Sequence, residues 1–508
     1  MIIRRNTGDQ AAIGAWIGCQ ERGKKANSTP FTGVFALVFN SFNFLFFFGI
    51  VYSLYVNFNR VWQNRLLLVS SYVFYGYWDW RFAMLLLIST TGDFLLGLRI
   101  DQSLNNRIRK RWLIGSLVLN LGILSFFKYF NFFVASTISL FDTLGIHLSA
   151  PVLHVVLPVG ISFYTFQSMS YTIDVYRRKL PSEKSFLNFA VYVSFFPQLV
   201  AGPIERATNM LRQVHAPREI TRQKIGSGLS LIFWGLFKKV FIADNCSDIA
   251  NLAFSNADSH SGLAVFFGVY AFAFQIYADF SGYSDMARGL ARLLGFEMMR
   301  NFDLPYFSVN PTEFWRRWHI SLSTWLRDYL YIGLGGNRNG SFKTYRNLFL
   351  TMLLGGLWHG ASWHFIFWGM YQGALLIGHR LLSPWLERFN PKGWLAGRIW
   401  YWGRVAFMFQ MICIGWIFFR ANTLGQVGEM LSHIAGDLRW DAEAWSFLGK
   451  LAYFVWPLFA VQFVQFKARD LNPLPHVPAW TKAIFAACLV YLLFIHGASS
   501  DSFIYFQF

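Results

Sequence analysis

Apolar residues in this chain come in long runs, and the short segments between them carry many of the basic residues. The clearest runs cover residues 35–57, 229–243, 262–278, 349–378, 399–419, 449–466 and 483–498. Runs of about 17 to 25 residues with few charges match a lipid hydrocarbon core, and counting them gives about 10 to 12 spans. They exceed the roughly 9 to 11 residues of a barrel strand, so the pattern predicts an all-α, polytopic membrane protein. Two regions interrupt it. Pro158 and Gly160 fall inside the apolar run PVLHVVLPVGISFYTFQSMSYTIDVYRRK, and Pro197, Gly202 and Pro203 fall inside FFPQLVAGPIER. Broken helices are tolerated at membrane depth only where the backbone is buried in protein or lines a polar cavity, so these segments predict a pocket wall.

Composition strengthens the membrane reading. Of 508 residues, 55% are apolar, 19% aromatic and only 14% charged, against roughly a quarter charged in a soluble domain. The formal net charge of +19 would suggest nucleic acid in a soluble chain. Here the cations sit between apolar runs, in NNRIRKR (105–111), YRRK (176–179) and FKK (237–239). That placement fits juxtamembrane charge facing a lipid bilayer, and no exposed basic helix with interleaved aromatics is left to hold a nucleic acid. Cys19, Cys246, Cys413 and Cys488 lack paired spacing and predict neither a disulfide framework nor a zinc site. Residues 1–34 are polar and lack the apolar core of a signal peptide, so they read as an N-terminal extension ahead of a membrane domain at 35–498. The part to about residue 135 reads as ordinary hydrophobic hairpins, with Asp93 and Asp101 expected at helix ends.

Candidate chemistry concentrates between residues 272 and 378. The stretch QIYADFSGYSDMARGLARLLGF holds Gln275, Asp279, Ser281, Ser284, Asp285 and Arg288 among apolar neighbours. These residues either pair between helices and hold the bundle together, or face a cavity. The segment NPTEFWRRWHISLSTWLRDYLYI reads as one amphipathic helix, with Asn310, Pro311 and Glu313 at cap, first-turn and third positions. On a 3.6-residue period, Trp315, His319, Leu322 and Leu326 share its apolar stripe. GLGGNRNG (333–340) reads as a helix-ending turn, because the Lys-Ser/Thr pair of a phosphate loop is missing, although Arg338, Lys343 and Arg346 remain available to phosphates. His359 lies about mid-way along the apolar run NLFLTMLLGGLWHGASWHFIFWGMYQGALL. An imidazole there is costly without a task or a partner, so it either serves as a base or bonds a neighbouring helix. His364 is five residues on, off that helical face, which argues against a metal pair and leaves His364 as a core or interfacial residue.

The strings QIYADFSGYSDMARGL, NPTEFWRRWHISLSTWLRDYLYIGLGGNR and LLGGLWHG resemble signatures of the membrane-bound O-acyltransferases. The resemblance is to the branch with the alginate O-acetyltransferase membrane subunit, the peptidoglycan O-acetyltransferase and the teichoic-acid D-alanylation subunit. It runs from LVFNSFNFLFF near residue 37 to the terminal FIYFQF, leaving out the first 34 residues.

The resemblance implies a bundle of tilted helices around a central tunnel, with re-entrant and interfacial helices. Its two family histidines map onto His319 in RRWHIS and His359 in LWHG, with His359 catalytic and His319 assisting. The aromatic tail at 499–508 resembles a motif whose tyrosine, here Tyr505, is implicated in carrying the acyl group. Taken as residues alone, FIYFQF reads equally well as an interfacial anchor for the last helix. The implied activity is O-acetylation of an exopolysaccharide such as alginate, by a multi-pass protein of the bacterial inner membrane. The donor would be a cytoplasmic thioester such as acetyl-CoA, with no bound cofactor, and a periplasmic hydrolase-like partner would complete delivery. Arg316, Arg317, Arg327 and Arg338 are candidates for the donor's phosphates. Peptidoglycan, cellulose or teichoic acid are alternative acceptors. A non-enzymatic transporter is the rival from another class, and it has no need of a base at His359. The chemistry agrees with the resemblance, because acyl transfer needs a base near neutral pH and no G-x-S-x-G elbow is present.

Overall fold

The computed structural model describes residues 37–149, 153, 156–389, 391, 393–471, 478–497 and 504. The extension at 1–34 lies outside them, as does Tyr505. Within them the chain is helical, without a strand. The first helices are Phe42–Tyr55 (α1), Arg60–Gly76 (α2), Trp80–Gln102 (α3), Asn106–Leu124 (α4) and Phe130–Thr143 (α5). The middle supplies Ile161–Tyr176 (α6), Phe186–Ser194 (α7), Phe196–Leu199 (α8), Ala207–His215 (α9), Arg222–Phe237 (α10), Asp244–Ser255 (α11) and Gly262–Leu293 (α12). The last part runs through Pro311–Arg317 (α13), Ile320–Trp325 (α14), Ser341–His359 (α15), Trp363–Leu386 (α16), Trp394–Arg420 (α17), Leu424–Gly436 (α18), Ala442–Ala468 (α19) and Ala479–His496 (α20).

Six of these stretches are long and apolar enough to cross a membrane: α3, α4 with α5, α10 with α11, α12, α17 and α19. Two further apolar helices, α1 and α20, are shorter. The run at 349–378 is two helices, because α15 stops at His359 and α16 starts at Trp363. The breaks expected near Pro158 and Pro197 are present, and they fit each other. Gly160 takes φ 74° ahead of α6, where a Cβ would meet the Leu199 carbonyl oxygen at 2.4 Å.

Helix α12 is the axis of the molecule. Its best apolar stretch is 83% buried, against 22% for α4 with α5, whose side chains are largely exposed. It packs on α10, α11, α17 and α19. Two glycine pairs let α10 and α12 approach backbone to backbone: a Cβ on Gly235 would meet the Gly282 carbonyl at 2.5 Å, and one on Gly289 the Gly228 carbonyl at 2.6 Å. Close approach at small residues is how helices associate where no hydrophobic force separates lipid from protein.

Polar residues on α12 pair across helices. Lys238 Nζ donates to Asp285 at 2.7 Å and Ser281 at 2.9 Å, while Lys239 Nζ lies 2.7 Å from Asp244 and 3.2 Å from Asp279. Lys238 and Lys239 are 3% and 5% exposed, so FKK is internal pairing, not the juxtamembrane charge its position suggested. Gln275 donates to Ser247, and Ser284 accepts from Asn301. Asp93 is also corrected: it lies inside α3, fully buried, accepting from Ser116 at 2.6 Å and Asn120 at 2.7 Å. A carboxylate at that depth persists because two donors from α4 meet it. Asp101 sits at the end of α3, as expected.

Candidate active site

The segment 310–332 begins as its sequence predicts. Asn310 Oδ1 accepts from the Glu313 backbone at 2.8 Å, and Glu313 reaches back to accept from the N–H of Val309, just ahead of the cap, at 3.0 Å, with Pro311 at the first position. The continuous helix expected after it does not form. α13 ends at Arg317, and His319 adopts φ 42° and ψ 55°, a left-handed conformation rare for a residue with a Cβ. The break is stable because Asn301 supplies the acceptors that the start of α14 needs. Its carbonyl takes the Ile320 N–H at 2.9 Å, and its Oδ1 takes the Ser321 N–H at 3.3 Å. The Asn301 amide in turn donates to Ser284 on α12 at 3.0 Å. Past α14, residues Leu326–Tyr331 form a π-turn, and a turn containing Gly335, Gly336 and Gly340 at positive φ leads into α15.

His319 is fully buried, with its ring edge-to-face on Phe280 of α12 at 4.6 Å between centroids. The ring also lies 6.3 Å from Phe163 of α6 and 6.1 Å from Trp358. His359 occupies the last position of α15, before Gly360 extends the chain. Its buried ring packs edge-to-face on Trp358 and Trp368 at 5.0 Å each, and on Phe419 at 5.3 Å. Trp358 therefore touches both imidazoles, and Phe163 and Phe166 pack on it at 5.4 and 5.5 Å. Burial among these rings favours the neutral imidazole over the imidazolium at both residues.

A cavity of about 760 Å³ opens where α15 ends. Gly360, Ser362, Lys128, Asn131, Asn251 and Arg420 are among the residues on its wall, as is Leu157 beside the predicted Pro158 break. His364 lines it too, with Nδ1 3.2 Å from the Phe418 carbonyl. On another side of the aromatic cluster, Trp325 stacks on Phe166 at 3.9 Å and Tyr329 follows at 5.1 Å. The Arg206 guanidinium lies 4.7 Å over the Tyr329 ring and 3.7 Å from Asp328, and Arg177 donates to the Asp328 carbonyl. An aromatic file thus joins a basic corner to the histidine pair.

The four arginines named from the sequence do not gather at the histidines. Arg317 is taken up by Glu313 at 2.6 Å and Arg327 by Asp328 at 2.7 Å, while Arg316 and Arg338 are exposed. The neighbour preceding Tyr505, Ile504, is fully buried, and its N–H donates to Asp279 at 2.7 Å. Asp279 adjoins Phe280, the ring that packs on His319. Sequence reasoning missed Arg206, Asn301 and Lys128. For Lys128 a signal existed, a lone cation inside FFKYFNFF.

Comparison with known proteins gives consistent results. The model of the MBOAT, membrane-bound O-acyltransferase family, matches residues 161–421, a stretch containing both histidines. A Pseudomonas putida protein named probable alginate O-acetylase AlgI is 44% identical over 78% of this chain and 79% of its own length. A Helicobacter pylori peptidoglycan O-acetyltransferase is 36% identical over 79% of this chain and 80% of its own. A Bacillus subtilis teichoic acid D-alanyltransferase is 26% identical over 51% of this chain and 68% of its own.

Proposed function

The chain belongs to the membrane-bound O-acyltransferase family, and from that premise we propose that it passes acetyl groups from acetyl-CoA on the cytoplasmic side of a bacterial inner membrane toward alginate outside. As an O-acyltransferase it has to remove a hydroxyl proton while a thioester is attacked. His359 is the general base in this reading and His319 orients the reacting groups. The imidazole of His359 takes the proton as the hydroxyl oxygen bonds to the acetyl carbonyl carbon. The carbon–sulfur bond then breaks, and the leaving thiolate recovers the proton from the imidazolium. The observation carrying this reading is the meeting of two histidines from two helix breaks around one tryptophan, with Gly360, the residue after His359, on the wall of a cavity.

Tyr505 is the first acceptor in this scheme. Its phenol takes the acetyl group and hands it to a hydroxyl of a periplasmic hydrolase-like partner, which completes transfer to the polymer. The burial of Ile504 beside Asp279 supports a tail that reaches the reaction centre from a membrane domain at 35–498. Arg316, Arg317, Arg327 and Arg338 are retained as donor-phosphate candidates, and the exposure of Arg316, Arg327 and Arg338 favours the diphosphate end of the donor over the thioester end. Alginate is preferred over peptidoglycan because the alginate relative is the more similar of the two, at 44% against 36% identity.

The test uses purified protein in lipid nanodiscs with labelled acetyl-CoA. Wild type should acquire label at Tyr505, read by mass spectrometry of the C-terminal peptide, and His359→Ala should not. Undiminished labelling in His359→Ala refutes the base assignment. Label elsewhere, with full activity in Tyr505→Phe, refutes the relay. Acetate ester found on isolated peptidoglycan and absent from alginate would move the acceptor to the runner-up.

A further inference from the structure

The last turn of α15 is held from outside the helix. A helix leaves its final carbonyls without intrahelical donors, and here three in succession are met by two neighbouring side chains. Tyr129 donates its hydroxyl to the Leu357 carbonyl at 2.9 Å. Lys128 Nζ donates to the Trp358 carbonyl at 2.6 Å and to the His359 carbonyl at 3.0 Å. The third ammonium proton faces Ser162 Oγ on α6 at 3.4 Å. An ammonium at a helix C-terminus is also favoured by the helix dipole. Both side chains come from the π-turn Ser125–Tyr129 that joins α4 to α5. Local π-turns of this kind occur often at functional sites.

Lys128 also stands on the wall of the cavity next to Gly360, so it links the helix end bearing His359 to the opening beside it. The stretch around it is otherwise apolar and half-exposed, and a lysine there gains nothing from lipid. Its three donors are directed at the reaction centre's own backbone and at α6.

We propose that Lys128 is a positioning residue for the transfer reaction: its ammonium pins the carbonyl end of α15 and so fixes where the His359 ring sits relative to the cavity wall at Gly360. Tyr129 assists from the adjacent carbonyl. Lys128 neither contacts the acyl group nor exchanges a proton with it. This assignment rests on the reading of His359 as the base.

Steady-state kinetics with labelled acetyl-CoA in nanodiscs test it. Lys128→Met keeps the stem and removes the donors, and its kcat should fall about 30- to 100-fold, the scale of an ångström-sized misplacement. KM for the donor should stay within about twofold, since substrate binding is untouched. Lys128→Arg, which can again span two carbonyls, should recover a large part of the loss. Tyr129→Phe, which removes one hydroxyl, should lower kcat by about threefold, the scale of one neutral hydrogen bond. Wild-type kcat in Lys128→Met overturns the proposal, as does a raised KM at unchanged kcat or an arginine variant no better than methionine. If Lys128→Met does not fold, Tyr129→Phe and Lys128→Arg decide, and wild-type kcat in the former overturns the proposal. His359→Ala is run alongside. Retained transfer there removes the premise, whereas an inactive His359→Ala beside a fully active Lys128→Met removes only the role of Lys128.

Discussion

The two histidines stand at two helix breaks built in opposite ways. At His319 the backbone itself is unusual: the residue sits at φ 42°, and the break is locked by the backbone and side chain of Asn301, tied to α12 through Ser284. At His359 the backbone is ordinary helix followed by an extended glycine, and the holding force comes from Lys128 and Tyr129 outside it. The first break is set by local strain, about 1–2 kcal/mol for a left-handed residue with a Cβ, offset by polar contacts. The second is set by capping. A ring placed by a locked backbone moves only if its surroundings repack, whereas a ring placed by a cap moves when one donor is removed. That division suits the roles proposed for the two residues, His319 as a fixed orienting group and His359 as a base whose position is tuned.

The largest effect that could break this comparison is on chemistry. His359→Ala should lose about 10³-fold in acetyl transfer, within the usual range for a general base, while His319→Ala should lose about 10- to 100-fold. Equal losses, measured as initial rates, would merge the two roles. Next comes a stability test confined to the strained break. His319→Val should melt lower in detergent than His319→Asn, by about 1–2 kcal/mol, because asparagine tolerates the left-handed region and a β-branched residue does not. Identical melting would mean the strain is relieved in solution. Asn301→Ala removes the side-chain acceptor and the link to Ser284 while leaving the imidazole in place, and should cost about 1 kcal/mol of stability with a several-fold loss in kcat. A rise in KM alone would instead place Asn301 in binding. The smallest effect lies away from both breaks. Arg338→Ala should raise KM for acetyl-CoA about threefold and leave acetyl-pantetheine, which lacks the phosphates, unchanged.

Much of the scaffold was legible because lipid imposes a simple rule on sequence. Uninterrupted apolar length gave α12, α17 and α19, and proline with glycine gave the breaks around α6 and α8. The capping residues of α13 were readable for the same local reason. What periodicity could not give were the positions where a helix yields to a partner distant in sequence. His319 left its predicted stripe because Asn301 offered acceptors from another segment, and α15 stopped at His359 because Lys128, some 230 residues earlier, caps it. The basic segments were misread where burial depended on pairing. FKK looks like a topology signal until Asp244, Asp279 and Asp285 are placed against it. Residues as far as 135, read as plain hairpins, proved to hold the end of the helix that carries His359.

The π-turns at Ser125–Tyr129, Lys238–Ala243 and Leu326–Tyr331 bring one more consequence. Each residue added to a helix rotates everything beyond it by about 100° while lengthening it by only about 1.5 Å. A single-residue deletion inside one of these turns would therefore leave the span almost the same height in the bilayer, yet swing the whole downstream half of that helix onto a new azimuth. Evolution of these segments by insertion or loss thus acts as a dial on direction, and substitution tolerance measured residue by residue would not reveal it.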